Sequence, residues 1–211
     1  MSSRHLVRSA VGAAFASPQG WAETAKGYRR WTVVGEEGGA VHTGFGVCEL
    51  EADGSLPTHV HSFEESFFVV DGAGVVDTSE GSFRVQSGDY GLVPVGVPHR
   101  WRNDSETTVR WAEMQGPVPR ERSGGDTVLV PPLPSVDPVA LDVRDPRTRR
   151  FGNITPEHMN ASKQGQELLG VSASMRTALL VYSGITVKMM VDPDLGADLP
   201  GHLGVTGEIR E

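Results

Sequence analysis

The sequence has little positive charge and few lysines. Its 211 residues include 19 lysines and arginines against 27 acidic residues, which gives a net charge of −8. A surface that binds nucleic acid or an anionic membrane needs clustered lysine and arginine, so we expect neither partner. Lysine occurs only at Lys26, Lys163 and Lys188. A Schiff-base mechanism is therefore excluded for the long stretch between the first two.

Cysteine and long apolar runs are also scarce. Cys48 is the only cysteine, so an internal disulfide is impossible, and its alternating run Phe45–Leu50 favours a small buried side chain over a catalytic thiol. No apolar stretch approaches the ~20 residues that span a bilayer. The apolar part of the N-terminus is short and interrupted by Gly12, which predicts a flexible arm rather than a signal peptide. A cytoplasmic location is the expectation.

Short strand-like runs fill the chain from Tyr28 to Gln115. They are rich in Val, Phe, Trp and Thr, and turn residues separate them. Many short strands at this spacing predict an all-β, antiparallel sandwich or barrel. The predicted strands are Tyr28–Val34, Ala40–Leu50, Ser55–His61, Ser66–Asp71, Gly74–Thr78, Ser82–Val85, Tyr90–Val93, His99–Asn103 and Thr108–Gln115.

Changes in composition divide the chain into an N-terminal arm at 1–27, a barrel at 28–115, a connector at 116–154 and an extension at 155–211. Six prolines lie between Gly116 and Pro138, which predicts a linker or an extended surface arm. In the extension we expect a helix at Thr155–Gln166 and two strands, Ser174–Tyr182 and Ile185–Asp192. Leu199–His202 faintly repeats the pattern Leu-Pro-x-His found in the barrel, so the extension is interpreted as either covering strands or the start of a second, incomplete barrel.

Two motifs in the predicted barrel carry metal-binding residue types. In the first, His59 and His61 are two residues apart on a strand, so both imidazoles lie on one face. Glu65 follows where the chain bends, and its carboxylate can turn back to the same point. Glu64 is the rival ligand, but alternation with the apolar positions after it places Glu65 inside. In the second motif, a Pro-x-Gly turn precedes His99, whose strand can lie beside the histidine pair.

These motifs resemble those of the cupin superfamily, written G-x5-H-x-H-x3,4-E-x6-G and G-x5-P-x-G-x2-H-x3-N. The second motif matches at every position, from Gly88 to Asn103. The first departs only at its opening glycine, because Asp53 takes that place and Gly54 follows it. The resemblance covers roughly residues 28–115. It implies a jelly-roll barrel of the double-stranded β-helix type, with a divalent transition metal held by three histidines and one glutamate.

The resemblance also sets the range of functions. Three neutral imidazoles and one carboxylate leave a divalent ion with a charge near +1 and two open octahedral positions. Such a site attracts an anionic or enediol-like small molecule and polarises its oxygens. We favour a dioxygenase-type metalloenzyme with iron, and zinc, manganese, nickel or copper stay open. The alternatives are a non-redox isomerase, lyase or decarboxylase, and a non-catalytic binding or sensing cupin.

Strand alternation also names candidates for the pocket wall. Phe67 and Val69 share a face with the glutamate of the first motif, and Trp101 and Asn103 share one with the histidine of the second. Together with Tyr90 they are expected to surround a small organic ligand. Ordinary barrel packing is an equally good interpretation for each of these side chains taken alone.

The last expectation concerns assembly. A lone barrel has exposed sheet edges, and the two strands of the extension carry apolar residues that need burial. The long proline-rich connector lets these strands lie against the chain's own barrel or against that of a second copy. We therefore predict a homodimer with an exchanged C-terminal arm.

Overall fold

The computed structural model describes residues 6–142, 144–154, 176–179, 185–191 and 205–209. Within these ranges the chain is nearly all-β, with three short 3-10 helices at Glu36–Gly38, Glu121–Asp126 and Pro146–Thr148. The strands are β1 (Lys26–Val34), β2 (Gly44–Ser55), β3 (His59–His61), β4 (Glu64–Asp71), β5 (Ala73–Thr78), β6 (Gly81–Gln86), β7 (Asp89–Val93), β8 (His99–Arg102), β9 (Val109–Gly116), β10 (Thr127–Leu129), β11 (Val139–Ala140), β12 (Phe151–Asn153), β13 (Arg176–Leu179), β14 (Ile185–Met189) and β15 (Val205–Ile209).

One large sheet contains the first twelve strands. Its order is β11-β6-β5-β8-β2-β9-β4-β7-β12, while β1 pairs with β2, and β3 pairs with both β8 and β10. The sheet curls so that its inner face encloses one apolar core. The buried members of this core are Tyr28, Cys48, Leu50, Leu56, Phe67, Val69, Val76, Phe83, Val85, Trp101, Val109, Trp111 and Phe151. The predicted antiparallel β-barrel is confirmed.

Alternation and turn chemistry explain most of the strand bounds. Each of the nine predicted strands overlaps one of β1–β9, and the ends move by a few residues. Gly72 separates β4 from β5 with a φ of 78°, and a Cβ at this position would lie 2.5 Å from the carbonyl oxygen of Thr108. Only glycine fits both the left-handed backbone and this close approach. The turn after β4 can therefore pack against the start of β9, with which β4 is paired.

The proline-rich segment does not reach away from the barrel. Residues Thr127–Leu129 lie between its prolines and pair antiparallel with β3, with Thr127 opposite His61. Further along, β11 pairs parallel with β6 and β12 pairs antiparallel with β7. Each proline lacks only its own backbone N–H donor. The short stretches between the prolines keep their donors and can therefore pair with sheet edges. The predicted boundary at residue 116 thus falls within one continuous sheet.

The N-terminal arm also lies against the barrel where it is described. Ala16 forms a bridge with Arg30 on β1, and residues 16–21 lie along the opening of the central cavity. Trp21 packs its ring edge against His59, with ring centroids 4.8 Å apart. We expected this arm to be flexible. It instead lies against the barrel because Trp21, near its end, packs against His59 and the apolar core.

β13 and β14 lie within the two predicted strands of the extension. They pair with each other, and β15 completes an antiparallel sheet of three strands. The expected position of these strands against a barrel, of the same chain or of a second copy, stays a prediction. The expected helix at Thr155–Gln166 and the repeated pattern at Leu199–His202 lie outside the described residues. Among the described residues, no helix is long and apolar enough to span a membrane.

Candidate metal centre

Four buried side chains from three strands converge at one point. His59 and His61 come from β3, Glu65 from the start of β4 and His99 from the start of β8. One ligand atom from each lies within 4.8 Å of the others. His59 and His99 are direct partners in the pairing of β3 with β8, and their rings are 4.1 Å apart. The structure thus brings together the four residues of the two motifs, while the rival Glu64 is not part of the cluster.

The local sequence explains why the histidines face inward. In His-Val-His the two imidazoles are buried and the valine between them is half-buried, as strand alternation requires. The turn at Pro94–Val97 contains Gly96, with a φ of 73°, and its amide donates to the carbonyl oxygen of His61 at 2.9 Å. This hydrogen bond ties the turn before β8 to β3, so both motifs are held at a fixed separation.

Backbone and side-chain acceptors set the direction of each imidazole. Nδ1 of His59 lies 2.8 Å from the carbonyl oxygen of Pro57, and Nδ1 of His99 lies 2.9 Å from that of Val97. Because a carbonyl oxygen only accepts, both Nδ1 atoms carry the proton and both Nε2 atoms keep a free lone pair. Nδ1 of His61 lies 2.9 Å from the hydroxyl of Thr127 on β10. Such partners hold metal-binding imidazoles in one tautomer and one orientation.

The inward atoms of the cluster fit a divalent transition metal. Oε1 of Glu65 and Nε2 of His99 are fully buried and lack any hydrogen-bond partner. Oε2 of Glu65 is 3.0 Å from Nε2 of His61 and 3.7 Å from Nε2 of His99. Buried polar atoms are normally satisfied, so two unsatisfied atoms in one cluster of ligand-type residues indicate a place for a cation. Three imidazole nitrogens and one carboxylate form a donor set suited to iron, zinc, manganese, nickel or copper.

The electrostatics of the cluster agree with a cation site. Burial, followed by the nearby His99 and His61, lowers the pKa of His59 to about 2, so this imidazole stays neutral. Burial alone would raise the pKa of Glu65, but the adjacent His61 and His99 side chains hold it well below its usual range. A neutral imidazole and an ionised carboxylate are the forms that bind metals.

A cavity of about 800 Å³ extends from the cluster. His59, His61 and Glu65 form part of its wall, and residues of the N-terminal arm and of the proline-rich segment form its opening. The wall also contains five aromatic side chains. They are Trp21, Tyr28, Phe63, Trp101 and Trp111. Cavities of this size and character bind drug-sized organic molecules.

A polar group that the sequence analysis missed lies on the same wall. Arg30 on β1 forms an ion pair with Glu113 on β9, and Gln115 hydrogen bonds to both. The signal in the sequence was the strand parity: Arg30 shares a face with Tyr28, and Glu113 shares one with Trp111. Charged residues at inward positions of barrel strands are rare unless they are paired with each other. This rule could have identified Arg30 and Glu113 as an ion pair from the sequence.

The five predicted wall residues have different places. Trp101 lines the cavity, whereas Phe67 lies against it edge to face, with ring centroids 4.9 Å apart, and Val69 belongs to the same core. Tyr90 packs in a separate apolar cluster. All residues of β7 are buried, so alternation of buried and exposed residues does not show which side chains of this strand face the cavity. The Asn103 amide binds backbone carbonyls instead of facing the cavity.

Comparisons with known proteins agree with this fold. Residues 46–114 match the family model described as the cupin domain. A search of curated proteins finds no significant match. A protein from Pseudomonas aeruginosa named as glyoxylate-induced superposes with a TM-score of 0.52 and 15% identity, over 84% of this chain and 53% of its own. The chain therefore spans about half the length of that protein.

Two further solved structures match part of this chain. The polyketide cyclase RemF from Streptomyces resistomycificus has a TM-score of 0.47 and 19% identity, over 55% of this chain and 79% of its own. A cupin-like protein from Thermotoga maritima has a TM-score of 0.45 and 16% identity, over 54% of this chain and 84% of its own. Identities this low leave the reaction open. The domain match and the two motifs show that residues 46–114 of this chain form a cupin domain.

Proposed function

We propose that this cupin is a metal-dependent enzyme that acts on a small oxygenated organic molecule, with dioxygenase-type chemistry and iron as its metal. One observation carries the proposal: the ligand atoms of His59, His61, Glu65 and His99 converge, and the first three residues line a cavity that is large enough for such a molecule. A bound divalent ion would supply Lewis-acid binding of substrate oxygens and, as iron(II), a position for O2.

The residues of the chain set the charge that a ligand meets. Glu65 is the only carboxylate in the cluster, so a divalent ion held there keeps a charge near +1. That charge favours enolate, catecholate or hydroxyketone oxygens as chelating groups. The opening of the cavity carries the exposed acidic residues Glu36, Glu37 and Glu121, which disfavour the entry of polyanions.

The size and walls of the cavity favour a flat and fairly large ligand. A volume of about 800 Å³ far exceeds the needs of a two-carbon or three-carbon acid. Trp101 and Trp111 are stacked with ring centroids 4.2 Å apart and an interplanar angle of 4°, and both line the wall. Aromatic faces pack well against conjugated rings. The substrate we propose is therefore a conjugated molecule with two neighbouring oxygens.

Oxygen chemistry is favoured over an isomerase or lyase because Tyr28 and Glu113, two buried wall residues, are poorly suited to act as bases. Burial, with Cys48 and Glu113 nearby, raises the pKa of Tyr28 well above its usual value, so the phenol stays protonated. Glu113 accepts hydrogen bonds from Arg30, Gln115 and Trp111, which occupy its carboxylate. Neither side chain is therefore suited to abstract a proton from a substrate. The second candidate function, ligand binding without catalysis, needs no base.

Oxygen uptake tests the proposal directly. Protein loaded with iron(II) is mixed with a panel of catechols, diketones and hydroxyketones, and O2 consumption is followed with an electrode. We expect uptake with at least one conjugated vicinal diol or hydroxyketone, and none from the His99→Ala variant. Tight binding of these compounds without O2 uptake or product would instead favour the non-catalytic cupin. Turnover of a compound without O2 would favour the non-redox alternative.

A further inference from the structure

The guanidinium of Arg30 lies flat across β2 at Gly46. A Cβ at Gly46 would come within 2.7 Å of Nη2 and 2.8 Å of both Cζ and Nε of Arg30. Any other residue at this position would push the guanidinium off the strand. The backbone of Gly46 is not in the left-handed region, so the close approach of Arg30 is the structural feature that favours glycine here.

Glu113 and Gln115 hold the guanidinium in this place. Nη1 of Arg30 donates to Oε1 of Glu113, and Nη2 donates to Oε1 of Gln115 at 3.1 Å. Glu113 also accepts from Nε2 of Gln115 at 2.9 Å, from Nε1 of Trp111 at 3.3 Å and from Sγ of Cys48 at 3.4 Å. The Arg30 and Glu113 side chains are only 8% and 6% exposed. The carboxylate of Glu113 is thus fully used by the protein.

Arg30 has donors left over. A guanidinium carries five N–H groups. The two hydrogen bonds above use one on Nη1 and one on Nη2, and the other on Nη1 donates to Sγ of Cys48 at 3.6 Å. The Nε–H and the second Nη2–H remain, and Arg30 lines the same cavity as His59 and Glu65. In the pairing of β4 with β9, Gln115 is the direct partner of Glu65. Gln115 therefore connects Arg30 to the strand of the metal ligand Glu65.

A second donor in the cavity is also unsatisfied. Nε1 of Trp101 is fully buried and has no hydrogen-bond partner, and Trp101 lines the cavity two residues after His99 on β8. Its ring stacks on Trp111, whose own Nε1 donates to Glu113. A buried N–H without an acceptor costs free energy, so its presence beside a cavity indicates a ligand that supplies the acceptor.

We propose that Arg30, with the Trp101 indole N–H, forms a second binding subsite that takes a neutral carbonyl or hydroxyl oxygen of the ligand. This rests on the proposed function and deepens it, because the ligand then has chelating oxygens at the metal and a further acceptor oxygen at its other end. Glu113 already neutralises Arg30. A ligand carboxylate here would add a second negative charge beside Glu113 in a buried place, so the subsite prefers an uncharged acceptor.

Three matched probes test this preference. Each is a naphthalene with two vicinal hydroxyls on one ring, and the other ring carries hydrogen, a carboxamide or a carboxylate. Quenching of tryptophan fluorescence measures their affinity, because Trp21, Trp101 and Trp111 line the cavity. We expect the carboxamide to bind at least about tenfold more tightly than the unsubstituted diol, and the carboxylate to bind less tightly than the carboxamide.

Two variants assign the effect to the arginine. Gly46→Ala displaces the guanidinium and should abolish the tenfold preference, while Gly38→Ala, where a Cβ would meet nothing within 4 Å, should keep it. If Gly46→Ala fails to fold, the neutral double variant with Arg30→Gln and Glu113→Gln serves the same purpose. Equal affinities for the carboxamide and the unsubstituted diol, tightest binding of the carboxylate, or a preference that survives in the folded variants would overturn the proposal.

The same titrations separate this inference from the proposed function. They are run on metal-loaded and on metal-free protein. The ratio between the carboxamide and the unsubstituted diol tests the subsite in both forms. The metal-dependent gain in affinity for the unsubstituted diol tests the metal centre alone. A preserved ratio without any gain from metal would support the subsite and contradict the proposed function.

Discussion

The hydroxyl of Thr127 lies 2.9 Å from Nδ1 of His61, which links the proline-rich segment to the metal centre. The same hydroxyl donates to the carbonyl oxygen of Gly125 at 3.1 Å, so it accepts the proton of the imidazole. β10 thus fixes the tautomer and direction of one metal ligand from outside the two motifs. A segment that looks like a linker in the sequence is part of the site.

The first prediction removes this hydroxyl. Thr127→Val keeps the shape of the side chain and the strand pairing, but it leaves His61 free to turn. We expect metal affinity to fall by about 10- to 100-fold, with little change in the free energy of unfolding. Thr127→Ser retains the hydroxyl and serves as the control. Competition with a chromogenic chelator measures the affinities, and equal values for wild type and Thr127→Val would show that β10 has no role in the site.

The second prediction concerns Asn103, which the sequence placed in the pocket. Its side-chain amide donates to the carbonyl oxygens of Leu50 at 3.0 Å, Glu51 at 3.0 Å and Thr107 at 2.7 Å. Asn103→Ala leaves these carbonyls without their donor, so the free energy of unfolding in urea should fall by about 2–4 kcal/mol.

The matched variant is Asn103→Asp, which keeps the acceptor for the amide of Ser105 but has no donor. It should lose nearly as much stability as the alanine variant. Metal content per folded chain should stay unchanged in both variants, because Asn103 does not reach the cluster. A variant that loses metal but keeps its free energy of unfolding would show that Asn103 belongs to the metal site.

The third prediction concerns the single thiol. Cys48 is fully buried, and burial together with the neighbouring Glu113 raises its pKa well above the usual value. The reactive form of a cysteine is the thiolate, so the native protein should not react with a disulfide reagent at mildly alkaline pH. In urea the one thiol per chain should react in full. Rapid stoichiometric labelling of the native protein would contradict the buried position of Cys48.

The four metal-binding candidates could be predicted because their information is local. His59, His61 and Glu65 fall within one short motif, and His99 follows a turn whose glycine the second motif specifies. The alternation of apolar residues likewise predicted all nine strands of the barrel segment. Local spacing therefore determined both the type of fold and the position of the cluster.

The remainder of the site depends on pairing between distant segments. Arg30, Gly46 and Glu113 meet only because β1, β2 and β9 are neighbours in the sheet, with Gly46 opposite Glu113. Thr127 reaches His61 only because β10 adds to the edge of β3. The spacing of residues within one segment cannot predict such contacts between distant strands. Tyr90 was expected in the pocket without support from strand alternation, and it packs in a separate apolar cluster.

The fourth prediction is the homodimer. β13, β14 and β15 pair with one another, and the prediction is that this arm lies against the barrel of a second copy. We still expect a dimer with twofold symmetry, as is usual for associating barrels with free edges. Size-exclusion chromatography with light scattering at micromolar concentration measures the mass. A mass near 22.6 kDa would show a monomer and end this prediction.

The metal content of the purified protein tests the central claim most directly. Protein prepared without chelators is measured by elemental analysis beside the variants His59→Ala and His99→Ala, and beside His42→Ala, whose histidine is exposed and outside the cluster. We predict about one divalent transition metal ion per chain in the wild type and in His42→Ala, and a large loss in the other two variants. A folded wild-type protein that contains no such metal, and takes up none from excess, would contradict the account.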